Sequence, residues 1–316
     1  MAPIIKLNNL YKRYSSQLAV ENLSLDIQQG EIFGFVGPNG AGKTTTIRIL
    51  ATLLQPTSGV AEVAGYSVVE HPMDVRRLIG YMPDFFGIYD DLTVLEYLDF
   101  FADCFEIDPN RRNQLIADLL DLVELSHRAN DRVEKLSRGM KQRLSLARTL
   151  VHDPRVLILD EPASGLDPRA RVEIRELLRE LAHMGKTIFF SSHILADIAE
   201  ICTRVGIIEA GVLVACGSAQ ELHQKIIRTR RLRISALASE AEILTALNGK
   251  PGVGGIYPLE TSRQPAIVEI DFNGEFSDMS ELLAELIRGG IQVVQYRELE
   301  SDLEEVFLRT TKGIVN

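Results

Sequence analysis

The sequence lacks the features of a secreted, disulfide-linked or membrane-spanning protein. Its three cysteines form neither a CxxC pair nor a metal-binding spacing, so we expect reduced thiols that pack as small apolar side chains. No apolar run approaches the roughly 20 residues that a membrane-spanning helix needs. The first residues contain no basic segment followed by an apolar one, so no secretory signal is expected. A role at a membrane would therefore depend on a partner chain.

Basic residues are also fewer than acidic residues. The chain has 34 Lys and Arg residues against 44 Asp and Glu residues, a formal net charge of −10. An acidic chain repels a phosphate backbone, so we expect no nucleic acid as its main partner. At 316 residues the chain exceeds one typical domain, and two folded units are expected.

Short apolar runs alternate with helical periodicity through the first 225 residues or so, which is typical of an α/β layer fold. The stretch after Pro168 predicts a helix with one apolar stripe, because apolar residues recur at i, i+3, i+4 and i+7. Val156–Leu159 is apolar at every position, as in a parallel strand that is covered on both faces. The predicted strands are Glu31–Val36, Ile79–Met82, Arg155–Leu159, Thr187–Phe190 and Arg204–Ile208.

An all-helical insert is predicted over about residues 85–152, where the strand pattern disappears. Thr93 and Glu96 have the spacing of a capping box, which predicts a helix that begins near Thr93. A second helix is predicted over Arg111–Leu125, with its inward face formed by Leu115, Leu119 and Leu122.

A second domain is predicted over residues 226–316, following a larger domain over residues 1–225. Its apolar pattern gives the order βαββαβ, which suggests a small α+β domain of the ferredoxin-like type. A short helix, Leu303–Leu308, is predicted to close the chain. The junction is basic, and we favour a solvated hinge over a lipid-binding cluster for Lys225, Arg228, Arg230, Arg231 and Arg233.

A phosphate-binding loop is predicted where the sequence fits G-x-x-x-x-G-K-[ST] between an apolar strand and a helix. Glycines let successive backbone N–H groups turn toward one anion, and the helix N-terminus adds its dipole. Lys43 would reach the β- and γ-phosphates of ATP, and the Thr44 hydroxyl would bind Mg²⁺. A glycine-rich turn is the alternative. The predicted nucleotide-binding residues of the loop are Gly37, Pro38, Asn39, Gly40, Ala41, Gly42, Lys43, Thr44 and Thr45.

Two acids follow the apolar strand Val156–Leu159. Because ligands of open α/β sheets lie at the carboxyl ends of the strands, Asp160 should emerge beside the phosphate-binding loop. We predict that Asp160 binds Mg²⁺ and that Glu161 activates the attacking water. The alternative is an acidic strand end on the surface.

The segment Leu136–Met140, which we call the signature segment, resembles the signature motif of ABC transporter ATPases, usually LSGGQ. The resemblance covers roughly residues 4–225. It includes Tyr14 as an adenine-stacking aromatic, Asp167 in a D-loop, and His193 as a switch histidine. It implies a P-loop NTPase core with an antiparallel β subdomain and a helical insert.

By resemblance, Ser137 and Gly139 close over the ATP of a second subunit in a head-to-tail dimer, in which each surface patch meets its complement. His193 would contact the γ-phosphate and orient Glu161 and the water. Ordinary capping is the alternative for both Ser137 and His193. By the same resemblance, Asp167 in the D-loop is predicted to belong to the nucleotide-binding residues.

The sequence departs from the family pattern at three positions. Asp84 stands where a glutamine is usual, and its carboxylate is predicted to bind Mg²⁺. Arg138 and Met140 replace a glycine and a glutamine of the signature. Arg138 could bring positive charge near a phosphate or point to solvent.

The resemblance implies an ATP-binding and ATP-hydrolysing subunit that works as a dimer, expected to be a homodimer, with a separate membrane permease. That subunit would lie on the cytoplasmic face of the cell membrane. The end of the chain is similar to the tail of drug- and lipid-exporting ABC ATPases, which favours export. The alternatives are a soluble ABC protein that acts on the ribosome or DNA, and a P-loop metabolic kinase.

Overall fold

The computed structural model describes residues 2–15, 17–84, 87, 89, 91–194, 200–218, 220–222, 230–259 and 265–299. The chain forms two compact units, one built mainly from Met1–Ala219 and the other from Gln220–Arg309. The predicted helix Leu303–Leu308 lies outside the described residues. Within the described ranges, no helix combines the length and the apolar character needed to cross a bilayer.

The first unit contains strands and helices in alternation. Its strands are β1 (Ile5–Tyr14), β2 (Gln17–Ile27), β3 (Ile32–Val36), β4 (Ser58–Val63), β5 (Tyr66–Ser67), β6 (Ile79–Met82), β7 (Val156–Leu159), β8 (Thr187–Ser192), β9 (Arg204–Glu209) and β10 (Val212–Gly217). Its helices are α1 (Lys43–Leu50), α2 (Pro72–Leu78), α3 (Val94–Cys104), α4 (Pro109–Leu122), α5 (Arg138–Leu150) and α6 (Pro168–His183). The five predicted strands are confirmed, with ends that move by at most two residues.

A mixed sheet forms the centre of the first unit, with its described strands in the order β10-β9-β3-β8-β7-β6. The pairs from β9 to β6 are parallel, and β10 is antiparallel to β9. All residues of β3, β7 and β8 are buried, as the continuous apolar runs predict. Because parallel strands end at the same edge, the segments that follow β3, β6, β7 and β8 converge there.

An antiparallel sheet lies beside the central one, with its described strands in the order β2-β1-β4-β5. The two sheets share one apolar core, in which the rings of Phe33 and Phe189 stack 5.7 Å apart. Phe35 packs against the same Phe189 ring at 5.4 Å. The β1–β2 hairpin brings Tyr14 opposite Gln17.

The region predicted as a helical insert contains α3 and α4 and leads into α5. The capping box is present, because Thr93 Oγ1 accepts from the Glu96 amide and the Glu96 carboxylate accepts from the Thr93 amide. The predicted inward face of α4 is wrong at two of three positions, since Leu115 and Leu122 are only half-buried. The buried residues of α4 are Ile116, Leu119 and Leu120.

Contacts with two neighbours determine that face of α4. The helix packs against both α3 and α5, so its buried stripe is rotated from the one that leucine spacing alone selects. Helix α6 has no such conflict, because Ile174, Leu177, Leu178 and Leu181 are buried as predicted.

The second unit contains β11 (Arg230–Ala236), α7 (Glu240–Leu247), β12 (Val253–Leu259), β13 (Ala266–Phe272), α8 (Phe276–Arg288) and β14 (Val293–Leu299). This is the predicted order βαββαβ, although the last strand begins two residues later than the apolar pattern indicated. The described strands form an antiparallel sheet in the order β12-β13-β11-β14. Apolar residues of the helices and the sheet form one core of their own.

Candidate functional site

The loop between β3 and α1 requires glycine at two positions. A Cβ on Gly37 would collide with the carbonyl oxygen of Ile208 on the neighbouring strand β9. Gly42 has φ +103°, and a Cβ there would collide with the carbonyl oxygen of Ala19. The backbone therefore lies directly against the central sheet and β2, where a glycine-rich turn ahead of α1 can present backbone amides to an anion.

Lys43 begins α1 and its side chain is 6% exposed. Its Nζ donates to the carbonyl oxygens of Gly37 at 2.6 Å and Pro38 at 3.2 Å, and lies 3.5 Å from Oε1 of Glu161. Burial lowers the pKa of Lys43, while the carboxylates of Glu161, Asp160 and Asp84 act in the opposite direction. The ammonium group is thus held inside the loop. If it moved to contact a phosphate, it would leave these three partners.

Asp160 follows β7 and is buried, with 1% of its surface exposed. Its Oδ1 accepts hydrogen bonds from Ser191 Oγ at 2.7 Å and from Thr44 Oγ1 at 3.3 Å. Burial raises the pKa of Asp160, an effect that these two hydrogen bonds oppose. The contact with Thr44 joins the end of β7 to the start of α1, as the sequence predicts for the two halves of a phosphate site.

Glu161 adopts a backbone conformation that is unusual for its residue type. Its φ is +52°, in the left-handed region that a residue with a Cβ occupies at a cost of about 1 kcal/mol or more. The Glu161 amide donates to Ser191 Oγ at 3.0 Å, which holds the turn in place. As a result, the carboxylates of Asp160 and Glu161 both reach the region of Lys43, although they are adjacent in sequence.

His193 follows β8, and its Nδ1 lies 2.7 Å from Oε2 of Glu161. The histidine side chain is 43% exposed, whereas that of Glu161 is 12% exposed. Each oxygen of the Glu161 carboxylate therefore has its own partner, His193 on one side and Lys43 on the other.

Lys43, Glu161 and His193 line one cleft of ≈ 390 Å³. Tyr14 lies at its edge with 40% of its surface exposed, and Lys12 Nζ lies 5.2 Å from the centroid of the Tyr14 ring. Of the predicted residues, the cleft brings together Tyr14, Asn39, Gly40, Ala41, Gly42, Lys43, Thr44, Thr45, Asp84, Glu161 and His193.

Gly37, Pro38 and Asp160 do not line the cleft but contact its Lys43 or Thr44. The remaining three predicted residues lie elsewhere, at the starts of two helices. Ser137 caps α5, where its Oγ accepts from the Met140 amide at 3.3 Å. Gly139 lies in the first turn of the same helix. Asp167 caps α6, where its Oδ1 accepts from the Ala170 amide at 3.0 Å. Within this chain Ser137 and Asp167 cap helices, the use that the sequence offered as the alternative for Ser137.

The structure also adds residues that the sequence analysis did not assign to the site. Ser191 contacts both Asp160 and the Glu161 amide, and its position after a buried apolar strand was the available signal. Gln17, Ala19 and Ser164 line the cleft. Nothing in the local pattern marks Gln17 or Ala19, because β-hairpin pairing places them there.

The oxygen ligands near Thr44 suit a hard divalent cation. Mg²⁺ is bound in proteins by few carboxylate and hydroxyl oxygens, with water and phosphate oxygens completing its shell. The Thr44 hydroxyl and the Asp160 carboxylate are in contact, and Asp84 lines the same cleft. Burial raises the pKa of the Asp160 carboxylate, and the positive charge of a bound cation would oppose that shift by stabilising the ionised form. The residues present therefore fit the ion.

Comparisons with known proteins agree with this geometry. The ABC transporter family profile matches residues 20–164. The Nod factor export ATP-binding protein I of Cupriavidus metallidurans is 34% identical, with 98% of each chain aligned. The bacitracin transport ATP-binding protein BcrA of Bacillus licheniformis is 36% identical, with 99% of each chain aligned.

A solved structure supports the fold independently. The dimeric post-hydrolysis structure of the ATP-binding cassette MJ0796, bound to ADP and Pi, is 27% identical with a TM-score of 0.62. The match covers 68% of this chain and 98% of that one. With relatives aligned over nearly its whole length, this chain belongs to the family of ABC transporter ATP-binding proteins.

Proposed function

We propose that this chain binds MgATP in the cleft and hydrolyses it, as the ATPase subunit of a membrane exporter. One observation carries the proposal. Three different segments supply the loop that holds Lys43, the adjacent Asp160 and Glu161, and His193. Lys43, Glu161 and His193 line a single cleft, and the buried Asp160 contacts Thr44 of the same cleft. Anion binding, metal binding and proton transfer are then available within one site.

The roles follow from the contacts. The glycine-rich backbone and the N-terminus of α1 would bind the phosphates, with Lys43 leaving its carbonyl partners for the β- and γ-phosphate oxygens. Tyr14 at the cleft edge would stack on adenine. Thr44 and Asp160, with Asp84, would hold Mg²⁺, which when bound withdraws charge from the phosphate oxygens.

Glu161 is the proposed general base. Its carboxylate would accept a proton from the water that attacks the γ-phosphorus, and His193 would hold the carboxylate in position and contact the γ-phosphate. A base must lie within hydrogen-bond reach of its water, and the exposed side of this pair opens into the cleft.

The site as described is open on one side, and a second copy of the chain is the proposed cover. The amides at the start of α5 and the Ser137 hydroxyl would meet the ATP of the partner subunit in a twofold arrangement. The dimeric cassette with ADP and Pi supports this arrangement. Two ATP molecules would then be enclosed between two copies, and hydrolysis would separate them.

The transport role is supported by the relatives, whose names specify Nod factor export and bacitracin transport. A separate membrane permease would receive motion through the insert that contains α3 and α4. This subunit would then lie against that permease on the cytoplasmic face. The second unit is proposed to be a ferredoxin-like accessory domain, supported by its βαββαβ order and its β12-β13-β11-β14 sheet.

Phosphate release tests the proposal. The purified chain, alone and in complex with any multi-spanning protein that co-purifies from detergent-solubilised membranes, is expected to release phosphate from MgATP. The proposal would be contradicted if neither preparation bound nucleotide or released phosphate. Stimulation by ribosomes or DNA, without a membrane partner, would favour the soluble ABC protein instead.

A further inference from the structure

The side chain of Arg138 is folded back onto its own chain. Its Nη2 donates to the carbonyl oxygen of Ser164 at 3.2 Å. Gly165 has φ +66°, and a Cβ added there would collide with the terminal atoms of the Arg138 guanidinium. The guanidinium therefore lies against Gly165 while it donates to the residue before it. The side chain is exposed, and its guanidinium contacts the backbone of its own chain.

A second side chain of α5 holds the same stretch. Gln142, which is 3% exposed, donates from Nε2 to the carbonyl oxygen of Pro162 at 2.6 Å. One turn earlier, a Cβ on Gly139 would lie 3.3 Å from Cβ of Ala170, so the start of α5 and the start of α6 are closely packed. Helix α5 thus contacts residues 162–165 through two hydrogen bonds from two of its turns.

The stretch held by α5 leads directly to the proposed base. The Ser164 amide donates to the carbonyl oxygen of Glu161 at 3.0 Å, which closes a turn over residues 161–164. Ser164 and Glu161 both line the cleft. Glu161 is in the strained left-handed region, so its side-chain direction depends on what holds this turn.

We propose that Arg138 is a positioning residue that fixes the Glu161 turn through Ser164 and Gly165. The inference rests on the proposed function, since it deepens the role of Glu161. It links the start of α5, where a partner's nucleotide would bind, to the hydrolytic group of the same chain. Arg138 acts through packing and one hydrogen bond, and its charge is not what the site uses.

Steady-state ATPase kinetics and nucleotide affinity distinguish a positioning role of Arg138 from a role in binding the nucleotide. Arg138→Ala is expected to lower kcat about fivefold, the loss expected for one partly exposed hydrogen bond. Nucleotide affinity of the isolated subunit should stay unchanged, because Arg138 does not line the cleft. Arg138→Lys is expected to behave like the alanine variant, since an ammonium group cannot lie flat on Gly165 while donating. Arg169→Ala removes an arginine of α6 that is 91% exposed, and is the matched control.

A double-mutant cycle tests the contact itself. Gly165→Ala introduces backbone strain and displaces the flexible Arg138 guanidinium from its contact, whereas in the Arg138→Gly background only the strain remains. The effect on kcat of Gly165→Ala is therefore expected to be at least about threefold smaller in that background. Unfolding temperatures of all variants show whether each one is folded at the assay temperature.

The outcomes are distinguishable. Additive effects in the cycle, or a wild-type kcat in Arg138→Ala, would overturn the positioning role. Recovery of kcat by Arg138→Lys would also overturn it and would favour a charge near a phosphate. If the wild-type protein itself hydrolyses no ATP, the proposed function fails, which is a separate result from these.

Discussion

Nδ1 of His193 lies 2.7 Å from Oε2 of Glu161, and this contact joins the ends of two neighbouring parallel strands. Glu161 sits in a left-handed turn after β7, and His193 follows β8 directly. The strained turn and the histidine together direct the carboxylate into the cleft. The other carboxylate oxygen faces Lys43.

Replacing His193 with alanine should slow hydrolysis without abolishing nucleotide binding. The Glu161 carboxylate would lose the partner that orients it, and we expect kcat to fall by about 100-fold, at the lower end of general-base effects. Phosphate release and nucleotide affinity measure the two quantities. His127→Ala, at an exposed position of the helical insert, is the control. A kcat within twofold of wild type, or about the same loss in the control, would contradict the assignment.

Lys43→Ala should lose most of the nucleotide affinity. The side chain supplies one charge-assisted contact to the phosphates, which is worth about 1.5–3 kcal/mol, or about 10- to 100-fold in Kd. Titration with a fluorescent ATP analogue measures the change. The unfolding temperature must be recorded as well, because Lys43 also donates to the carbonyl oxygens of Gly37 and Pro38. An unchanged Kd would remove Lys43 from the site.

Asp160→Asn should stabilise the nucleotide-free protein while it weakens Mg²⁺-dependent function. Because burial raises the pKa of Asp160, the folded chain binds this proton more tightly than the unfolded chain. The group therefore costs stability as the pH rises above its ordinary value of 3.8, and the full cost is present once the pH exceeds the folded pKa. An amide in place of the carboxylate removes this loss of stability, and its oxygen can still accept a hydrogen bond from Ser191.

Thermal unfolding at two pH values checks this sign. We expect Asp160→Asn to unfold a few degrees above wild type at pH 7, and the difference to shrink as the pH falls toward about 4. Asp91→Asn is the control, because that side chain is exposed. A lower unfolding temperature for Asp160→Asn at pH 7 would show that the buried charge is stabilising.

Gly42→Ala should prevent nucleotide binding and destabilise the first unit. The residue has φ +103°, and its Cβ would collide with the carbonyl oxygen of Ala19, so the loop must move. We expect a cost of about 1–3 kcal/mol in unfolding free energy from the backbone strain alone. Gly185→Ala is the matched control, since Gly185 also has positive φ, at +88°, but open space around its Cβ. Equal nucleotide affinity in both variants would contradict the close approach.

The sequence predicts most of the elements of this fold, and the reason is physical. Buried parallel strands such as β7 are apolar at every position, and the phosphate loop depends on local backbone geometry, so both leave clear patterns. The buried face of α4 was predicted wrongly because packing against α3 and α5 overrides the leucine spacing.

Within the site, long-range contacts were the part that the sequence could not supply. The positive φ of Glu161 follows from what surrounds the turn and not from its residue type. The link from Arg138 to Ser164 spans 26 residues, and no pattern connects the two positions. Ser191 lies two residues before His193, which the sequence did single out, yet the contact of Ser191 with Asp160 depends on strand pairing.

The central claim is that Glu161 is the base of an ATPase that closes as a dimer. The most direct test is Glu161→Gln with MgATP, followed by light scattering after size-exclusion chromatography and by phosphate release. The account predicts that this variant binds MgATP, releases no phosphate and elutes as a stable dimer, whereas wild type turns ATP over. Phosphate release at the wild-type rate by Glu161→Gln would contradict it.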